Sequence, residues 1–170
     1  MDVEVAIRTR RTHKAYAPEP VDRPTLEELF ELARWAPNHH LTNPWRFRVL
    51  GPRALARLKE AAGPESAPKL DRAPTLVAVS ATQSGEDAVQ DEEDVLATAI
   101  AAYIVLLGAH ERGLAGYWRT PAVLRAPAGR AAVGIGADER FVALLYLGRP
   151  RQEQHPPQRA PAGAIATFLD

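Results

Sequence analysis

The chain contains no cysteine, and that absence removes disulfide staples, thiolate nucleophiles and cysteine-ligated zinc together. A reducing cytoplasm suits such a composition, so a cytoplasmic location is the expectation. Neither charge sign is in excess, because 21 lysines and arginines meet 21 aspartates and glutamates. Such a balance offers no global field to nucleic acid or anionic lipid, so no nucleic-acid partner is expected and any basic site must be local. The N-terminus mixes Asp2 and Glu4 with Arg8, Arg10 and Arg11 and lacks an apolar stretch, unlike a secretory signal. The longest apolar run, residues 95–109, is 15 residues long and falls short of the roughly 20 that cross a bilayer, so no membrane partner is expected. Also missing are a Gly-x-Ser-x-Gly elbow, a Gly-x-x-x-x-Gly-Lys loop and a His-Glu-x-x-His helix. Gly134 and Gly136 lack the third glycine of a dinucleotide loop and follow no strand. A chain without an evident nucleophile is free to take its chemistry from a cofactor.

What remains is 46% apolar and 25% charged over 170 residues, enough for one ordinary soluble domain spanning 1–170. Residues 3–9 are expected to form a short helix. Thr25 as N-cap and Glu28 three residues later form a capping box for a helix whose apolar face is Leu26, Leu29, Phe30 and Ala33, ending before Pro37. Trp45, Phe47 and Val49 alternate with Arg46 and Arg48, the pattern of a strand with one buried face. Residues 53–62 predict a helix stopped by Gly63, and the continuous apolar runs 75–81 and 141–147 predict central strands. A long helix over 95–112 begins beside Asp91, Glu92, Glu93 and Asp94 and ends at His110, Arg112 and Gly113, and its all-round apolarity predicts enclosure. A short strand is expected near Tyr117. The tail from Gly148 is proline-rich and ends in an apolar patch, 164–169, suited to packing on a partner subunit. The layout is α+β, a small sheet packed on helices.

Three segments offer chemistry. Arg10-Arg11-Thr12-His13-Lys14 supplies guanidinium forks and a hydroxyl, which suit phosphate, although a solvated basic patch has the same composition. The loop 37–45 holds His39, His40, Thr42 and Asn43; adjacent histidines converge poorly on one ion, so a ligand-lining loop is expected and no metal. Residues 113–120 bring glycines, Tyr117, Trp118, Arg119 and Thr120 together, which suits a planar anionic ligand or, equally, a helix cap followed by an edge strand.

Taken in order, the segments Arg10-Arg11-Thr12, Pro20-Val21, Ala36-Pro37, Pro44-Trp45-Arg46-Phe47, Trp118-Arg119 and Leu147-Gly148-Arg149-Pro150 resemble the nitroreductase family of FMN-dependent oxidoreductases, particularly its small bacterial members. The resemblance implies an α/β sandwich with a central mixed, mostly antiparallel sheet. It also implies an intertwined homodimer with FMN at the interface and residues 151–170 as an arm on the partner. It further implies that Arg10, Arg11 and Thr12 contact the FMN phosphate and ribityl region and that Lys14 reaches the pyrimidine edge. Trp35 and His39 are implied as contacts from the other subunit, and Trp118, Arg119 and Thr120 as further contacts, with Arg149 or Arg151 completing the phosphate site. Leu41 and Asn43 depart from the asparagine and glutamine that many members carry there. The implied activity is ping-pong: NADH or NADPH reduces the flavin at N5, and a nitroaromatic, quinone or other small electron-poor acceptor is then reduced, with no catalytic side chain required. Dehydrogenation, dehalogenation, flavin degradation or FMN binding without turnover are the alternatives on the same fold.

Overall fold

The computed structural model describes residues 1–169, so Asp170 at the end of the expected arm lies outside them. Among these residues five α-helices form: α1 (Val3–Thr9), α2 (Arg23–Ala33), α3 (Pro52–Ala62), α4 (Ala88–Glu111) and α5 (Pro127–Ala132). Four strands, β1 (Trp45–Val49), β2 (Thr75–Thr82), β3 (Ala115–Arg119) and β4 (Glu139–Gly148), make one sheet in the order β1-β2-β4-β3. Every ladder is antiparallel, and the parallel element is a lone bridge between Thr12 and Gly116 at the β3 edge.

The two continuous apolar runs become β2 and β4 at the sheet centre, as expected, because side chains of alternating residues are buried on opposite faces. Val77, Val79, Leu145 and Leu147 pack with Leu29, Ala101, Val105 and Leu106 of α2 and α4. Leu76, Ala78, Leu144 and Tyr146 pack on the other face with Leu58, Leu70 and Leu124. At about 1.5–3 kcal/mol for each large apolar side chain buried, these two layers are the main source of stability. Gly116 permits the closest approach between them and α4: a Cβ there would lie 2.5 Å from Leu106 Cδ2.

Two helix starts differ from expectation. Asp22, not Thr25, caps α2, accepting the Thr25 backbone N–H at 2.9 Å and its hydroxyl at 2.9 Å. The helix therefore begins three residues earlier, with Pro24 in its first turn, where a missing N–H costs nothing. Helix α4 starts at Ala88 rather than Val95, capped by Asp87 accepting from the Val89 and Gln90 N–H groups. The acids expected to precede the helix lie inside it. Asp91 accepts the Ser84 and Gly85 N–H groups at 2.7 and 3.0 Å, and Asp94 accepts the Thr42 hydroxyl at 2.6 Å.

Helix α4 is long and apolar enough by length and composition to cross a membrane, and half of its most apolar stretch is buried within the protein. It is not enclosed all round, contrary to its apolarity: Val89, Leu96 and Ile100 are exposed on it. It stops at Arg112, and Gly113 follows at φ 70°. The tail 151–169 is exposed throughout, with Ile165, Phe168 and Leu169 uncovered.

Candidate cofactor site

Helix α1 lies along the C-terminal half of α4 and delivers the basic segment there. The Met1 ammonium reaches Glu111 at 3.2 Å, and Thr9 Oγ1 lies 2.8 Å from His110 Nε2. The Arg10 guanidinium then sits over the Tyr103 ring, 5.8 Å from its centroid. Beyond Arg10 the chain runs extended along the β3 edge: the His13 N–H donates to the Gly116 carbonyl, and the Tyr16 hydroxyl donates to the His13 carbonyl at 2.8 Å. The Ala17 N–H donates to Arg149 and the Arg151 N–H donates to Ala15, so the start and the end of the domain meet here.

The result is a cluster of positive charge that no acid offsets by direct pairing. Among the described residues no carboxylate pairs with Arg10 or Arg11, and the Arg10 Nε and His13 Nδ1 are buried with no hydrogen-bond partner. Burial, then the charges of His110 and Arg10, holds the His13 pKa below the ordinary histidine range, against the opposing effect of the Gln152 backbone. His110 is lowered in the same way by burial and by Arg10 and Arg11. Buried donors and clustered like charges are costly unless an anion completes them, and a phosphate supplies both acceptors and countercharge. His110 was not singled out as a site residue, because at a helix end it reads as a complement to the dipole; only the fold places it beside Arg10. Thr12 and Lys14 are exposed on the same segment. Arg149 faces a cleft it shares with Asp22, Glu19 and Glu28, while the Arg151 backbone is tied to Ala15.

The opposite end of β3 carries the second group. Trp118 packs against the α4 layer, whereas Arg119 turns to the other face. Its guanidinium donates to the Tyr146 hydroxyl at 2.9 Å and to the Lys69 carbonyl at 3.4 Å, and lies 5.7 and 5.3 Å from the Tyr117 and Tyr146 ring centroids. Here a cleft of about 490 Å³ is lined by Arg119, Lys69, Ser66, Leu70 and Pro121. Lys69 and Ser66 gave no sequence signal, because residues 63–73 have no periodicity; 67–72 wind as a 3-10 turn. From Gly116 to Thr120 the edge covers about 13 Å at roughly 3.3 Å per residue, so the cationic pocket and this cleft border one strand.

Trp35 and His39 are not brought to Arg10 within the chain. Trp35 is 77% exposed, and His39 Nδ1 lies 2.8 Å from Glu93 Oε2 on the N-terminal half of α4. Glu93 and Tyr103 are separated by about 15 Å along the helix axis. The loop that carries His39 is strained, with His40, Leu41 and Asn43 at φ 52°, 52° and 48°. Asn38 holds it by accepting the Asn43 N–H at 2.9 Å. Leu41 is 76% exposed, and Asn43 is occupied in donating to the Leu41 carbonyl. His39 and His40 stack at 3.9 Å, and no group of three metal-binding side chains occurs among the described residues.

The sequence profile described as the Nitroreductase family matches residues 7–66, the stretch that holds Arg10-Arg11-Thr12, Trp35 and His39. YfhC of Bacillus subtilis (strain 168), named for NAD(P)H nitroreductase activity, is 26% identical over 91% of this chain and 88% of its own. A nitroreductase-like family protein from Bacillus cereus has the same fold, with a TM-score of 0.89 at 22% identity over 100% of this chain and 97% of its own. A Desulfovibrio desulfuricans protein described as a nitroreductase and crystallised in complex with FMN gives 0.83 at 24% identity, covering 100% and 98%. The profile match at its N-terminus and a fold shared over its whole length make the chain similar to the nitroreductase family.

Proposed function

We propose that this protein is an FMN-dependent oxidoreductase that takes electrons from NADH or NADPH and reduces a nitroaromatic, a quinone or a related electron-poor acceptor. The observation that carries this reading is the basic cluster in which Arg10 Nε and His13 Nδ1 are buried without partners. Those groups fit the phosphate of FMN. Arg10 and Arg11 hold it, the Thr12 hydroxyl adds a donor, and Lys14 extends toward the pyrimidine edge. Trp118, Arg119 and Thr120 border the ring end of the site, with Arg149 or Arg151 completing its phosphate end. When bound, FMN accepts a hydride at N5 and passes the electrons on. The protein's own work is to orient that group, to oppose negative charge on its ring with fixed cations and to exclude water.

The proposal includes a homodimer in the cytoplasm. The exposed stripe of Val89, Leu96 and Ile100 on α4 and the uncovered Ile165 and Phe168 of the arm supply apolar surface for a second copy. In that arrangement Trp35 and His39 complete the partner's site, which accounts for their distance from Arg10.

The test is anaerobic. Flavin absorbance of the purified protein should be lost on adding NADH or NADPH and return with a nitroaromatic or quinone. Bound flavin that neither nicotinamide reduces would rule the enzyme reading out.

A further inference from the structure

Beyond β3 the sheet opens. The β3 ladder ends where Arg119 meets Leu144, whereas β4 begins five residues earlier at Glu139. Residues 139–143 pair with β2 alone, apart from Val142, which is skipped at a bulge, and 139–142 form one wall of a cleft of about 450 Å³. Gln83, Thr120, Arg125, Arg130, Glu139 and Arg140 line it.

The charge in this cleft is one-sided. Its one acid, Glu139, is already committed: Arg48 donates to both oxygens at 2.9 and 2.6 Å, and the Ser80 hydroxyl and the Gly136 N–H add to them. Arg130 is fixed by donating to the Gly136 and Glu139 carbonyls, which bind its donors without cancelling its charge. Asp138 is exposed with its carboxylate over Gly136, and it does not line the cleft. Arg125 and Arg140 are exposed at the mouth, and among the described residues neither enters an ion pair. Three guanidiniums around one concavity, with the local acid neutralised by a fourth arginine, favour an anion of two charges.

We infer that this cleft is a second anion site, beside the cofactor and separate from its phosphate pocket, which receives a phosphate or carboxylate of the electron donor or acceptor. Thr120 forms part of its wall, and the next residue, Pro121, lines the Arg119 cleft, so a ligand anchored here lies next to the bound flavin. The phosphate pocket is at the far end of β3, about 13 Å away by strand length. The inference rests on the oxidoreductase reading for the identity of the ligand and on the cleft alone for its charge.

The Arg125→Ala/Arg140→Ala double variant tests it, since both side chains are exposed and their loss leaves the core intact. FMN content should be unchanged. Two substrate pairs separate the sources: NADPH against NADH, which differ by a phosphate, and 4-nitrobenzoate against nitrobenzene, which differ by a carboxylate. KM should rise about tenfold for the member that carries the additional phosphate or the carboxylate in at least one pair, with less than a twofold change in kcat or in the member lacking that group. No selective change in either pair overturns the inference. Calorimetry with inorganic pyrophosphate keeps the question apart from turnover. In an Arg10→Ala background, which silences the phosphate pocket, adding the double substitution should weaken binding about tenfold even if no nicotinamide is oxidised. Unchanged affinity there also overturns it.

Discussion

The Arg10 guanidinium lies over the Tyr103 ring with its Nε buried and unpartnered. The aromatic face holds the side chain in place while leaving its donors for a ligand. Arg10→Ala should therefore weaken FMN binding by about 10- to 100-fold, the worth of one charge-assisted contact, and leave thermal unfolding nearly unchanged. A fluorescence titration alongside a melting curve checks both; full FMN affinity in the variant removes Arg10 from the site.

His13 and His110 make the pocket sensitive to pH. Both are held below the usual histidine pKa, chiefly by burial and then by neighbouring positive charge. Below about pH 6.5 the unfolded chain binds protons that the fold resists, so stability without FMN should fall as pH drops through that window and be fully present above it. A bound phosphate reverses the preference, since protonated rings then face a countercharge. FMN affinity should rise severalfold from about pH 8 to 6.5, an interval over which a phosphate with a second pKa of about 6 stays mostly doubly charged. His110→Gln should flatten that slope. An affinity that falls over the same interval contradicts the assignment.

Arg48 and Glu139 tie β1 to β4 across the intervening strand β2, whose Ser80 bonds both. Burial alone would raise the Glu139 pKa, but hydrogen bonds from Arg48, Ser80 and the Gly136 N–H outweigh it and hold the carboxyl below its ordinary range. Its contribution is thus present above about pH 4.3 and is lost as pH falls through the lowered value. Glu139→Gln should cost about 2 kcal/mol at neutral pH, less than a fully buried pair because Arg48 is partly exposed. Denaturant unfolding should show the gap to wild type narrowing in acid; a constant gap means that packing, not charge, is lost.

Much of this fold was legible because local patterns determine it. The alternation of Trp45 and Phe47, the Gly63 stop and the apolar runs at 75–81 and 141–147 each follow from one element's own burial. Where residues compete, the reading failed. Asp22 outranks Thr25 as a cap, and Asp87 starts α4 a full seven residues before the apolar run. Helix α5, opened by Pro127 and six residues long, is too short to show a period. The candidate site could be named in the sequence as a set of segments and not as a geometry. No spacing rule links His110 to His13, Ser66 and Lys69 to Arg119, or Glu139 to Arg48, since each pair meets only when separate strands and helices pack.

The separation of Trp35 and His39 from Arg10 has a direct test in mixed dimers. Arg10→Ala and His39→Ala proteins should each bind FMN poorly. Co-expressed and purified through different tags, the heterodimer should regain one strong site of two, because one of its pockets then lacks both substitutions. A heterodimer no better than its parents would place both residues in the same subunit's site.

The central claim is that the buried cations at the β3 edge hold FMN. Its most direct measurement is the absorption spectrum of the purified protein before and after incubation with micromolar FMN and removal of the unbound flavin. The account requires a yellow protein, or one that becomes yellow and retains one flavin per chain. A protein that stays colourless under those conditions contradicts it.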